Sequence, residues 1–276
     1  LLEFNFLYMK KGKFKLDILI KNTLLFILVS LIIPSVQSQE IIPGSERLNN
    51  YINKLVNKKI AVIANNTSIV RNGELSVHLI DTLLKRNIEI EKIFSPEHGF
   101  LGDKDDGEKI EDGFYKSIEV ISLYGKKRKI SDDDIEGIDI IIFDIQDVGV
   151  RFYTYLSTLH YAMEAASRSN KKIIILDRPN PNSFYIDGPV LEKENSSFIG
   201  LHPVPIVYGM TIGEYGKMIN EEGWLDDKLR ADLEVIKIEN YTHNMRYDPP
   251  VRPSPNLPNL QSCLLYTSDA ADEHRR

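Results

Sequence analysis

Two runs, Ile138-Asp139-Ile140-Ile141-Ile142-Phe143 and Ile173-Ile174-Ile175-Leu176, constrain this chain more than any other feature, because they scarcely alternate polar with apolar residues. Strands apolar on both faces belong inside a sheet covered on both sides, which is the environment of a parallel α/β sheet. The rest of the body fits that pattern. Further strands are expected at Ile60–Ala64, Ile88–Phe94, Ile118–Ser122, Pro205–Val207 and Leu233–Ile238, and the second run extends to Lys172–Leu176. Helices are expected at Leu75–Arg86, Tyr155–Ser169 and Thr211–Asn220. Such alternation predicts an open parallel α/β sheet, and 276 residues at 42% hydrophobic are enough to bury one.

The ends read differently from the body. Met9 is followed by Lys10, Lys11, Lys13 and Lys15, then an apolar run from Leu24 to Ile33, then Pro34 to Ser38. This is the order of a secretory signal peptide cut after Ser38, with an uncleaved anchor helix as the alternative. Residues 1–8 read as untranslated sequence. Residues 263–276 resemble a translated sequencing adapter, so the native sequence is expected to break off near Ser262. Cys263 lies in that tail, which leaves an exported body without cysteine and removes disulfide, thiol-nucleophile and thiolate-zinc readings. Without both ends the body carries 27 basic and 35 acidic residues, a poor match for nucleic acid or an anionic membrane. After signal cleavage no stable membrane anchor is expected.

The expected organisation is a leader over 1–38, a sheet domain over 39–200, and the start of a second, smaller domain over 201–262 that is cut short. The last boundary follows a change of texture after about Gly200, towards proline and aromatic residues, with rigid loops at Tyr247-Asp248-Pro249-Pro250 and Pro253-Ser254-Pro255-Asn256.

In a parallel sheet the residues beyond the strand ends gather along one edge, where ligands bind. Four strands here run into polar groups: Asn65-Asn66-Thr67, Ser95-Pro96-Glu97-His98-Gly99, Asp144-Ile145-Gln146-Asp147 and Asp177-Arg178-Pro179-Asn180-Pro181. Glu97 is the sharpest candidate, because proline before it and glycine after it fix the loop, and a partly desolvated carboxyl can serve as a general acid. The competing role for Glu97 and His98 is as loop struts, paired with each other or with Arg151. Asp144 and Asp147 can touch substrate or brace their loop. Arg151 and Arg178 can grip a carboxylate with paired hydrogen bonds, or pair with these aspartates. Tyr153 and Tyr155 can stack on a sugar or lie in the core.

Other features carry less. His78 and His160 read as ordinary helix residues, and His202 and His243 lie in loops without ligand spacing. No metal-ligand motif, dinucleotide fingerprint, P-loop or nucleophile elbow occurs, so no cofactor and no metal are expected. Lys126-Lys127-Arg128-Lys129 is followed by Asp132-Asp133-Asp134 and reads as a solvated, charge-compensated loop.

At these loops the sequence resembles the NamZ-type exo-β-N-acetylmuramidases. The resemblance rests on Phe94 to Phe100, Ser122-Leu123-Tyr124-Gly125, Phe143 to Thr154, Leu176 to Pro181, Tyr208-Gly209-Met210-Thr211-Ile212-Gly213-Glu214 and Pro253 to Asn256, in family order from about Ala61. It implies a Rossmann-like domain with a smaller second domain, a cleft between them, and release of terminal N-acetylmuramic acid from the non-reducing end of peptidoglycan-derived disaccharides or muropeptides. It implies that Glu97 is the catalytic glutamate. Asp144 or Asp147 would be the second carboxylate, unless the substrate's own acetamido oxygen attacks. Asn66, His98, Gln146, Arg151, Tyr153, Asp177, Arg178, Asn180 and Tyr208 form the candidate substrate-binding set, with Tyr208 standing where many members carry His. The rival classes are a non-catalytic exported sugar-binding protein, or an amidase or esterase using the same crevice.

Overall fold

A computed structural model describes residues 21, 39–73, 75–102, 112–255 and 257. The expected leader, apart from Lys21, and the tail over 263–276 lie outside the described residues. The chain divides into two units, Leu1–Glu40 and Ile41–Arg276, and the second carries the sheet.

Among the described residues this sheet has seven strands: β1 (Lys59–Ala64), β4 (Glu89–Ser95), β5 (Gly113–Tyr115), β6 (Ile118–Ser122), β7 (Ile140–Asp144), β8 (Lys172–Leu176) and β9 (Asp232–Ile236). Their order is β5-β6-β4-β1-β7-β8-β9, all parallel except β5, which pairs antiparallel with β6 at the edge. The fold is α/β and Rossmann-like.

The isoleucine runs lie where their composition demands. Alternate residues face opposite sides, so Ala61, Ile63, Ile141, Phe143, Ile173 and Ile175 enter one core, while Ile60, Val62, Ile140, Ile142, Ile174 and Leu176 enter the other. Helices α3 (Tyr155–Arg168) and α4 (Ile212–Glu221) cover the first face; α1 (Ile52–Leu55) and α2 (Leu79–Leu84) cover the second. Each isoleucine buried in this way contributes on the order of 1.5–3 kcal/mol relative to an exposed one.

Helix starts follow local chemistry. Thr211 caps α4 in a reciprocal box: its hydroxyl accepts from the Glu214 N–H at 3.2 Å, and the Glu214 carboxylate accepts from the Thr211 N–H at 2.9 Å. The expected helix over Leu75–Arg86 requires correction. Leu75–His78 is strand β3, paired antiparallel with β2 (Ile69–Asn72), and α2 begins only after His78. Asn72-Gly73 between alternating residues is the hairpin signal that the helical reading passed over, and Gly73 adopts φ 63°. Pro205–Val207 is not a strand either: Val207 makes isolated bridges to Val150 and Asp187, since Pro203 and Pro205 offer no N–H to a ladder. Beyond Gly200, where the texture changes, the chain supplies α4 and β9 to this same sheet.

Strand order places the functional edge. From β1 the chain moves to β4 and β6 on one side, then crosses to β7 on the other, so the loops after β1 and β7 diverge and leave a crevice at the sheet's C-terminal edge.

Candidate active site

The loops after β1 and β7 are knitted together first. Asn65 Oδ1 accepts from the Thr67 N–H at 3.0 Å and the Thr67 hydroxyl at 2.6 Å, and Thr67 Oγ1 accepts from the Gln146 N–H at 3.0 Å. Ser68 donates to the Asp144 carbonyl. These bonds hold the crevice walls through short polar side chains, as strand-end turns require.

Asp144 and Arg178 form a buried pair. Arg178 Nε and Nη2 donate to the two carboxylate oxygens at 2.6 and 2.9 Å, and Nη2 also reaches Ser45 Oγ at 3.2 Å and the Ile69 carbonyl at 3.1 Å. Asp144 is 0% exposed and Arg178 2%. Of the two roles open to each residue, this geometry is the mutual one.

Asp147 is held differently. Its Oδ2 accepts from the Gly149 N–H at 2.7 Å and from the Tyr208 hydroxyl, while Oδ1 has no partner among the described residues. Burial pushes its carboxyl up to about 6, against the hydrogen bonds from Tyr208 and Gly149 that favour the charged form. Gln146 donates through Nε2 to the carbonyls of Asp147 at 2.8 Å and Pro179 at 2.7 Å, and its Oε1 is unpartnered among the described residues. Asn66 donates to the Arg252 carbonyl at 3.3 Å, and its Oδ1 is likewise buried without a partner among the described residues. Acceptors without donors suit a ligand rich in O–H and N–H groups.

Two residues of the candidate set act as braces. Asp177 accepts from the Thr211 hydroxyl at 2.9 Å and the N–H groups of Gly213 and Arg178 at 2.8 and 3.0 Å; burial pushes its carboxyl up to about 6. Asn180 accepts from the Asn182 N–H at 2.7 Å and donates to the Met210 carbonyl at 2.8 Å.

Glu97 stands at the end of β4, half-buried. Its Oε2 accepts from the Thr154 hydroxyl at 2.6 Å, and among the described residues it has no cationic partner. His98, at φ 70°, turns its Nε2 to Ser254 Oγ at 3.0 Å. Arg151 spends Nη1 on the carbonyls of Pro189 and Val204, leaving Nε and Nη2 without a partner among the described residues. Tyr153 is half-buried and stacks on Phe152, and Tyr155 is core, its hydroxyl donating to the Pro253 carbonyl at 2.6 Å.

Sequence reasoning did not single out Thr154 or Ser254. The signal for Ser254 was its Pro-Ser-Pro setting: the segment Arg252–Ser254 crosses the strand ends, bonded to Asn66, Tyr155 and His98. Thr154 carries no local signal beyond its position before α3. The basic run finds partners too. Lys127 bonds Asp134 at 2.6 Å, and Arg128 and Lys129 lie over the rings of Phe198 and Tyr161 at 4.7 and 4.3 Å.

A family model described as "Exo-beta-N-acetylmuramidase NamZ, N-terminal" matches residues 60–261. "Peptidoglycan beta-N-acetylmuramidase NamZ" of Bacillus subtilis (strain 168) is 40% identical over 228 residues, 79% of this chain and 53% of that protein. Two crystal structures of DUF1343 family proteins from Bacteroides fragilis NCTC 9343 superpose with TM-scores of 0.72 and 0.72, at 43% and 34% identity. The matches cover 83% of this chain in both cases, and 60% and 59% of those chains. The chain thus spans about half the length of the curated relative it matches.

Proposed function

This chain belongs to the exo-β-N-acetylmuramidase NamZ family, and on that premise we propose that it is a glycoside hydrolase acting on peptidoglycan fragments. Its substrate is a terminal β-linked N-acetylmuramic acid at the non-reducing end, and Glu97 gives the proton to the leaving oxygen. The observation that carries this reading is the state of Glu97 beside its neighbours. Asp144 is spent on Arg178 and Asp177 on α4, whereas Glu97 is half-exposed and, among the described residues, is engaged at one oxygen by Thr154. A proton donor needs such an open oxygen at the crevice.

Asp147 is the second carboxylate. Its Oδ1 is buried without a partner among the described residues, as are Asn66 Oδ1 and Gln146 Oε1, so this edge of the sheet holds unused acceptors beside Glu97. The Tyr155 phenol is within electrostatic reach of both Glu97 and Asp147, which supports their serving one site. The free donors of Arg151 fit the lactyl carboxylate that distinguishes muramic acid. A substrate of this kind lies outside the cytoplasmic membrane, and the basic and apolar segment ending at Ser38 supports export to the periplasm or beyond.

The test is hydrolysis of a muramyl disaccharide and of a chromogenic β-N-acetylmuramide. Release of free N-acetylmuramic acid by the wild type and its loss in Glu97→Gln is the expected result. Tight binding without release, or turnover of acyl esters instead, would overturn it.

A further inference from the structure

On the face of the sheet covered by α3 and α4, four buried polar side chains form one unbroken line. Glu164 Oε1 lies 3.2 Å from His160 Nε2; His160 Nδ1 lies 3.0 Å from His202 Nε2; and His202 Nδ1 lies 3.1 Å from the Tyr215 hydroxyl. None of them is more than 5% exposed. Tyr215 then packs its ring edge-on against Tyr208, with centroids 4.9 Å apart, and Tyr208 donates to Asp147. The line therefore runs from a carboxylate deep in the α3 layer to the Asp147 clamp.

Its direction follows from elementary chemistry. An ionised carboxylate only accepts, so His160 must donate through Nε2–H. When His160 carries a proton on Nε2 alone, its Nδ1 accepts from His202 Nε2–H, and His202 Nδ1 in turn accepts from the Tyr215 hydroxyl. In that arrangement both rings are Nε2–H tautomers, and the Tyr215 proton is committed to His202. The Glu164 end is well fixed. Burial pushes its carboxyl up, but the His160 bond, the Asp226 N–H at 3.1 Å and the Lys129 charge at 3.5 Å outweigh it and hold it at about 2. Arg168 faces the same carboxylate at 3.9 Å. His202, stacked on Trp224 at 4.8 Å, is held neutral at about 3, chiefly by burial.

We propose that Glu164, His160, His202 and Tyr215 are a positioning relay that fixes the Tyr215 ring against Tyr208, and so holds the Tyr208 hydroxyl on Asp147. Its importance for turnover rests on the reading that Asp147 works in the active site, but the relay itself is a statement about Asp147. None of these four touches substrate. They act through the Tyr208 clamp, which favours the ionised form of Asp147 against its burial. Among the described residues the phenols of Tyr215 and Tyr155 also lie within electrostatic reach of Asp147, and Arg151 is within reach of Tyr215.

The experiment titrates Asp147 itself. In 13C-carboxyl-labelled protein, assigned with Asp147→Asn, the wild-type midpoint should lie near 6. Tyr208→Phe, which removes the clamp, should move it upward. Tyr215→Phe keeps the ring but cuts it from His202, and should move the midpoint in the same direction by about half to one unit, the worth of one weakened hydrogen bond to a charge. Imidazole 15N spectra should show both histidines as Nε2–H. If Tyr215→Phe leaves the midpoint unchanged while Tyr208→Phe moves it, or if either ring is the Nδ1–H tautomer, the relay is wrong. Should Tyr215→Phe fail to fold, Glu164→Leu removes the fixed acceptor and gives the same reading. A wild type with the expected titrations but no muramide turnover would refute the enzymatic reading and leave the relay standing.

Discussion

Arg178 meets Asp144 in a bidentate pair at 2.6 and 2.9 Å with both side chains out of water, at the end of strand β7 beside the central β1. Such a pair stabilises little against an apolar pair of equal volume, because desolvating two charges offsets their attraction. Breaking it is another matter. Asp144→Asn leaves a buried guanidinium uncompensated and should cost about 3–5 kcal/mol, measured by chemical denaturation. The double replacement Asp144→Leu with Arg178→Met should be less damaging than either single change. Equal or additive losses would mean that the two residues do not act as a pair.

Glu97→Gln should preserve the fold and substrate binding while lowering turnover of a muramyl disaccharide by about 10²–10⁴-fold, the usual worth of a general acid. For an aryl muramide with a good leaving group the loss should be smaller, since such a group departs with little need of a proton. Equal losses on both substrates would move Glu97 from acid to a binding role. Thr154→Val should give a smaller defect of the same kind, because it frees the carboxyl from its 2.6 Å anchor without removing it.

Burial holds both Asp147 and Asp177 at about 6, above the value near 4 of an unfolded chain. Between those values the folded state keeps protons that the unfolded state has released, so stability should fall as pH rises from about 4 to about 6. Glu164, held at about 2, has the opposite sign: its contribution is present above its unfolded value and is lost as pH falls towards 2. Denaturation midpoints across this range give the slope, and Asp147→Asn should flatten the part between 4 and 6. If only the ionised Asp147 supports catalysis, kcat should also rise through about pH 6, and a rate independent of pH there would exclude that role.

Gly213 lets α4 approach the sheet. A β-carbon there would lie 2.6 Å from Asp177 Cγ and 2.6 Å from Val235 Cγ1. Gly213→Ala should therefore destabilise by about 1–3 kcal/mol, although alanine favours a helix by about 1 kcal/mol. Gly113→Ala, where nothing lies within 4 Å, is the matched control and should be near neutral in thermal denaturation.

Export predicts a mature chain beginning near Gln39. Mass spectrometry of the protein secreted by a bacterial host checks this, and recovery of the intact Met9 start from the cytoplasm would contradict it.

What the sequence determined by itself was the sheet. Continuous isoleucine runs leave a strand no polar face to turn to water, so parallel burial followed from composition, and the strand ends then had to share an edge. The start of α4 is local in the same sense, because the capping box of Thr211 and Glu214 is made within four residues. What only the tertiary structure decided were the meetings of residues far apart in the chain. Asp144 and Asp147 are three residues apart in one turn, yet one faces Arg178 and the other Tyr208, and no local signal separates them. His160 and His202 looked like an ordinary helix residue and a loop residue until α3 and the loop before α4 were packed together. Local rules see neighbours along the backbone. The role of a polar side chain depends on which donors and acceptors the fold brings to it after water has left, and that is fixed only when the layers close.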